Sequence, residues 1–257
     1  MSSRLIAVDI GNTSTKLGWF DDALTPRGSL PALVATHSFP TGQIPSAEIA
    51  AALPNEKCRW HIASVHREGE RMLKEWLKTH RPKDEVRVLT CRDLPIEVRV
   101  DSPERVGLDR LATAVAANSL REAGRPVIAI NAGSAITVNL VTTDGAFAGG
   151  VILPGFHMAA ESLYSADLLP LALLSVNDEP PPVLGKNTEA AIRSGLFWGA
   201  VGAVREIASR LAAELNQPPQ LFVTGGDLRQ LAKHLGDEAI FVPHLVLCGI
   251  ALADRAR

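Results

Sequence analysis

The chain opens with an apolar run over residues 5–10 that stops at Gly11 and Asn12, and residues 15–20 resume with strand-like composition. That pattern predicts a β-hairpin. Further strands are predicted over 33–38, 59–65 and 86–90. Between the last two, Met72, Leu73, Trp76 and Leu77 recur at helical spacing and predict an amphipathic helix over 70–79. A packed helix follows over 108–122, where Leu111, Val115 and Leu120 sit among alanines and Gly124 and Pro126 stop it. A second apolar hairpin is expected from residues 127–130 and 135–141, with a short strand at 151–153 before Pro154-Gly155. The mixed, Pro-rich stretch 162–182 reads as a surface connection. Ile192, Leu196, Val201 and Val204 repeat near 3.6 residues and predict a long helix over 188–215. Gly195, Gly199 and Gly202 lie on it and mark either a close approach by another helix or chain, or a local break. A last strand at 221–223 precedes Thr224-Gly225-Gly226-Asp227 and a short helix, and the apolar run 245–253 begins a buried C-terminal helix.

The two hairpins are related. Residues 7–15, Ala-Val-Asp-Ile-Gly-Asn-Thr-Ser-Thr, align without a gap on residues 129–137, Ala-Ile-Asn-Ala-Gly-Ser-Ala-Ile-Thr. Each copy puts a glycine after a buried strand, at a tight turn where backbone N–H groups approach an anion with no Cβ in the way. One such hairpin occurs in many folds, but a matched pair implies two related halves facing each other across a cleft. An acid at the end of the first strand, Asp9, suits Mg²⁺ held through water, and the turn amides with the hydroxyls of Thr13 and Thr15 suit phosphate oxygens. Lys16 either helps neutralise them or is a solvated strand lysine. A Walker loop is excluded, because Gly185-Lys186-Asn187-Thr188 lacks Ser or Thr directly after the lysine and Pro180 stands where the first glycine belongs.

Composition narrows the classes further. The 26 Lys and Arg against 28 Asp and Glu leave a net charge of -2, which gives no global attraction for nucleic acid or an anionic membrane. Any bound anion must be held locally. Cys58, Cys91 and Cys248 are odd in number and widely spaced, so a reducing cytoplasm is expected rather than a disulfide framework. The first ten residues lack a signal-peptide core, and no apolar run reaches the length of a membrane span.

Six short motifs, taken in order, resemble type III pantothenate kinase, a branch of the superfamily that includes actin, hexokinase and acetate kinase. They are Asp9-Ile10-Gly11-Asn12-Thr13, Gly107-Leu108-Asp109-Arg110, Asn131-Ala132-Gly133-Ser134-Ala135, the stretch from Gly149 through Pro154 to Gly155, Gly185-Lys186-Asn187-Thr188, and Thr224-Gly225-Gly226-Asp227. The resemblance implies an α/β protein made of two duplicated ribonuclease H-like (actin-like ATPase) domains, with mixed sheets flanked by helices and a cleft between them. Residues 1–118 and 119–257 would be those domains. It also implies ATP-dependent phosphorylation of pantothenate with Mg²⁺ and a monovalent cation, K⁺ or NH4⁺, in a cytoplasmic homodimer. Asp109 would be the general base, and Gly107, Leu108, Arg110, Val100 and Thr188 would shape the pantothenate site. Thr188 would reach the substrate of the partner protomer. Asp9, Gly11, Asn12, Thr13, Ser14, Thr15 and Lys16 would meet ATP and its metal from one turn. Gly133, Ser134 and Ala135 would meet the phosphates from the other, and Gly225 and Gly226 the adenosine end. Locally, Asp109 and Thr188 also read as simple helix caps.

The sequence departs from the family pattern at the second turn, where Asn131, Ser134 and Asn139 stand for Asp, Thr and Asp. Asn131 would take the place of a carboxylate that helps bind the monovalent cation. One unit charge about 4 Å away is worth about 4 kcal/mol at an effective dielectric of 20, so an amide attracts a cation less. Val100 stands near the place of a family tyrosine, and Tyr164 is either a substitute pocket wall or solvent-facing. Besides an active pantothenate kinase, two readings stay open: a weakened family member that binds ligands as a regulatory protein, and another sugar or acid kinase of the superfamily.

Overall fold

The computed structural model describes residues 4–21, 29–165, 179–226 and 232–253. The chain divides into two compact units, one of residues 1–120 together with 245–257, the other of residues 121–244. A division at 118/119 assigns the last helix to the second half. In the fold that helix rejoins the first.

In the first unit, β1 (Arg4–Ile10), β2 (Ser14–Phe20), β3 (Leu33–Pro40), β4 (Cys58–Ser64) and β5 (Glu85–Val88) form one sheet in the order β3-β2-β1-β4-β5. β1, β2 and β3 run antiparallel in turn, while β4 and β5 add parallel to β1. Its central strand is apolar on both faces because helices cover both. Ile6, Val8 and Ile10 pack with Trp60, Ile62, Leu73, Trp76 and Leu77, the last three from α2 (Arg67–His80). On the other face lie α3 (Leu108–Leu120) and the closing helix, α6 (Leu245–Leu252), whose Leu247 meets Gly18 opposite Ala7. A short α1 (Ala47–Ala52), capped by the Ser46 hydroxyl, has no buried residue and so leaves no amphipathic pattern to read.

The second unit repeats the plan. β6 (Val127–Ala132), β7 (Ala135–Val141), β8 (Phe147–Pro154), β9 (Gln220–Thr224) and β10 (Ala239–Phe241) form a sheet in the order β10-β9-β6-β7-β8, with the same antiparallel meander and the same two parallel additions. Ile128, Ile130 and Val138 pack with Phe156 of α4 (Phe156–Ser165) and Phe197, Val201 and Val204 of α5 (Thr188–Ala213). The surface connection expected over 162–182 begins as the last turn of α4, and residues 166–178 lie outside the described part, as does the short helix expected from Asp227. Gly149 and Gly150 hid the first half of β8 from the strand pattern. α5 runs unbroken, and a Cβ added at Gly195, Gly199 or Gly202 meets nothing within 4 Å, so no described element approaches the helix there.

α3 and α6 cross close enough that a Cβ at Gly249 would lie 1.9 Å from the carbonyl oxygen of Ala112. Gly249→Ala is therefore expected to destabilise the first unit by about 3 kcal/mol, as overpacking of a tight contact does, read as a lower midpoint in urea unfolding. An unchanged midpoint would show the two helices free to separate.

Candidate active site

The end of β1 carries the candidate site in the first unit. Asp9 lies opposite Lys16 on β2 and Ala63 on β4, on the sheet face that also holds Ala7 and Gly18. α3 brings Asp109 to the same neighbourhood, near enough for its charge to act on Asp9. Burial first, and then the Asp109 charge, push the Asp9 carboxyl up to about 7, with Lys16 pulling the other way. The lysine is thus half-buried and electrostatically engaged with Asp9.

Asp109 is not a helix cap. α3 begins one residue earlier, and the Gly107 carbonyl accepts from the N–H groups of Arg110 (3.1 Å) and Leu111 (3.2 Å). A Cβ at Gly107 would lie 2.5 Å from Asp109 Oδ1, so the missing side chain leaves room for the carboxylate at the helix start. Burial lowers the Arg110 guanidinium from its usual range, partly offset by its neighbour Asp109. Val100 is half-buried in the irregular stretch between β5 and α3.

The turn from β1 to β2 spans residues 11–14, closed by Gly11 N–H donating to the Ser14 carbonyl at 3.1 Å. The turn from β6 to β7 is one residue shorter, closed by Gly133 N–H donating to Ala135 at 3.1 Å. These two N–H groups serve the turns themselves. The shorter turn also corrects the gap-free alignment: the residue facing Asn131 is Thr137, so its counterpart is Lys16, not Thr15. Thr15 pairs with Ile10, is 3% exposed, and projects to the sheet face opposite Asp9. The structure therefore does not bring its hydroxyl to the side of Asp9 and Lys16.

The register makes the departures at the second turn coherent. Where the first unit pairs a carboxylate with an ammonium, Asp9 with Lys16, the second pairs Asn131 with Thr137, and both charges are gone together. Thr224 on β9 faces Asn131 from the other side, which gives a row of neutral oxygens across three strands. Asn139 is fully buried and its Nδ2 donates to Thr137 Oγ1 at 3.1 Å. Thr137 ends the repeat and Thr224 opens a motif, but only strand register shows that the two flank Asn131. Gly225, at a positive φ of 123°, passes so close over the end of β6 that a Cβ would lie 2.0 Å from the Ala132 carbonyl oxygen. Asp227, expected as a helix cap, lies outside the described residues.

Thr188 is the exposed first residue of α5, and the cap is Asn187, whose Oδ1 accepts from Ala190 N–H at 2.8 Å. Thr188 borders an apolar hollow of ≈ 840 Å³ with Pro154, Met158, Leu163, Ile192 and Gly195. Tyr164 is exposed on α4, His66 caps α2, and His157 pairs with Glu161. Among the described residues, no three His, Cys, Asp or Glu side chains gather as a metal cluster.

Two mixed sheets of identical connectivity, each turning at a glycine after its first strand, define the duplicated ribonuclease H-like domains of the actin-like ATPase fold. The same fold is seen in the ethanolamine utilization protein EutJ from Carboxydothermus hydrogenoformans (16% identity, TM-score 0.55, 98% of this chain and 90% of that one). It is seen again in glucokinase from an Antarctic psychrotroph (11% identity, TM-score 0.51, 100% of each chain). Within that class the chain belongs to the type III pantothenate kinase family, whose profile matches residues 5–210. Type III pantothenate kinase from Desulfosudis oleivorans is 32% identical over 262 residues, 96% of this chain and 97% of the relative. The one from Roseiflexus is 31% identical over 261 residues, with the same coverage. The match to the Dinoroseobacter shibae protein is 42% identical over 134 residues, 52% of this chain and half the relative's length.

The Asp9 environment has a measurable signature. Because its folded pKa is raised, the folded state holds a proton that the unfolded chain has already released, so the contribution of Asp9 to stability is lost as pH rises from about 4 through about 7. Asp9→Asn is expected to remove that loss. The ligand-free variant should be more stable than the parent at pH 8, by on the order of a few kcal/mol, and no more stable near pH 4. Equal melting curves at pH 8 would show that Asp9 ionises without cost.

Proposed function

We propose that the protein transfers the γ-phosphoryl group of ATP to the primary hydroxyl of pantothenate, giving 4'-phosphopantothenate, the first step of coenzyme A synthesis, in the cytoplasm. The observation that carries the reading is that α3 brings Asp109 near enough for its charge to act on Asp9, at the strand end beside a glycine turn, in a chain of this family. Asp109 orients the pantothenate hydroxyl and takes its proton as the oxygen bonds to the γ-phosphorus and the bridge to the β-phosphate breaks, releasing ADP. Transfer of this kind depends mainly on positioning and charge neutralisation, so one aligned carboxylate is sufficient. Arg110 beside it holds the acid end of the substrate. Residues 12–14 with Lys16, and residues 133–135, contribute phosphate ligands, and Gly225-Gly226 leaves room for the adenosine end.

Asp9 fits Mg²⁺, an ion commonly held by one or two carboxylates plus substrate phosphates rather than by a full protein cage. When bound, the ion supplies charge neutralisation for the phosphates. The neutral oxygens of Asn131, Thr137 and Thr224 fit a monovalent cation such as K⁺ or NH4⁺ better than a divalent one, with weaker attraction than a carboxylate gives. A homodimer is supported by the open glycines of α5 and the apolar hollow beside Thr188, rimmed by the exposed Met158 and Leu163. The paired loss of charge at Asn131 and Thr137 favours a second reading, a ligand-binding relative without turnover.

One assay separates these. ADP release from ATP should require pantothenate and should fall roughly 10²- to 10⁴-fold in Asp109→Asn, with K⁺ or NH4⁺ giving faster rates than Na⁺. Sedimentation of the same preparation should give the dimer mass. ATP binding without turnover would establish the regulatory reading, and turnover on a sugar without pantothenate would establish a different kinase.

A further inference from the structure

The first turn is held by a residue outside all six sequence motifs. Thr41 follows Pro40 at the end of β3, and its N–H donates to the Thr13 carbonyl at 3.0 Å. Its hydroxyl donates to the Gly11 carbonyl at 2.8 Å and lies 3.2 Å from the hydroxyl of Thr15. A threonine hydroxyl has one proton, and that of Thr41 is committed to Gly11, so in the second contact Thr15 donates and Thr41 accepts. The Thr41 methyl packs over α2, where a Cβ at Gly69 would come within 2.9 Å of it. One half-buried side chain thus joins the start of the turn, β2 and α2, and the backbone of the same residue holds the turn at Thr13.

The second unit has the same brace without the side chain. Gly155 follows Pro154 at the end of β8, and its N–H donates to the Ser134 carbonyl at 3.1 Å, as Thr41 does to Thr13. A Cβ at Gly155 would lie 2.4 Å from the Gly133 carbonyl and 2.5 Å from that of Ser134. The third strand of each repeat therefore secures the turn between the first two. At this bracing position the first unit carries a side chain, Thr41, that substitution can remove while the backbone bond stays.

We propose that Thr41 is a positioning residue for ATP: with Thr15 as its proton donor, it fixes the carbonyl of Gly11 and so aims the 11–14 turn at the phosphates. This rests on the reading of that turn as an ATP site. It also moves Thr15, which lies on the far side of the sheet from Asp9, from phosphate ligand to support. The hydroxyl pair would act before chemistry, on how well the turn is formed when nucleotide arrives. Its loss should then weaken ATP binding and leave the transfer step alone.

The test is Thr41→Val against Thr41→Ser, read by steady-state kinetics and by calorimetric titration with Mg-ATP. Thr41→Val is expected to raise the KM and Kd for ATP about 3- to 10-fold, with kcat and the pantothenate KM changed by less than about twofold. Thr41→Ser, which keeps the hydroxyl and gives up the methyl, should restore ATP binding. Adding Thr15→Val to Thr41→Val should cost little more, because the two hydroxyls act as one unit. An additive loss would mean that Thr15 touches the phosphates itself and would overturn the assignment. So would a folded Thr41→Val protein with parental ATP affinity, or a serine variant as weak as valine. If Thr41→Val melts below the assay temperature, Thr41→Ala carries the same comparison. A parent protein that binds no Mg-ATP at all would instead sink the underlying reading of the turn.

Discussion

The constraint on which the first unit depends is the placement of an ionisable acid at the end of a strand buried from both sides. β1 is apolar along nearly its whole length because α2 covers one face and α3 with α6 the other, and Asp9 emerges where that cover ends. Burial and the nearby Asp109 disfavour its charge, and among the described residues Lys16 on the adjacent strand offsets them. A carboxylate held this way is short of positive charge. On the reading of this turn as a phosphate site, a divalent cation would supply it by displacing the proton that burial favours.

The second unit resolves the same position by removing the conflict. Asn131 and Thr137 occupy the places of Asp9 and Lys16, and the amide of Asn139 bonds the threonine beneath them. A duplicated fold has in this way produced one charged turn and one neutral turn from the same strand order. The two need not do the same work: one offers a carboxylate and an ammonium, the other neutral oxygens and amides.

Much of this was legible in the residues alone, for reasons that can be named. Both hairpins, the helices α2, α3 and α5 and the glycine turns announce themselves through apolar runs, helical spacing and Gly placement, and the motif order carried the family. Register was not legible. The one-residue difference between the turns moved the counterpart of Thr137 from Thr15 to Lys16, and it is strand pairing that puts Thr15 on the far face and Thr224 beside Asn131. Thr41 sits in a stretch with no pattern of its own, and its contacts reach back 26 to 30 residues. α1 and β10 were missed because six and three residues with little burial give periodicity nothing to act on.

The return of α6 to the first unit has a consequence for the order in which the chain becomes whole. The face of β1 and β2 that bears Ala7 and Gly18 has its apolar lid in residues near 250, while the second unit is contiguous from 121 to 244. As the polypeptide leaves the ribosome, the half made first must wait, partly uncovered, for the part made last, and the later half has all its strands in hand before then. Synthesis order and completion order are reversed, and an interrupted message yields a finished second domain tethered to an open first one.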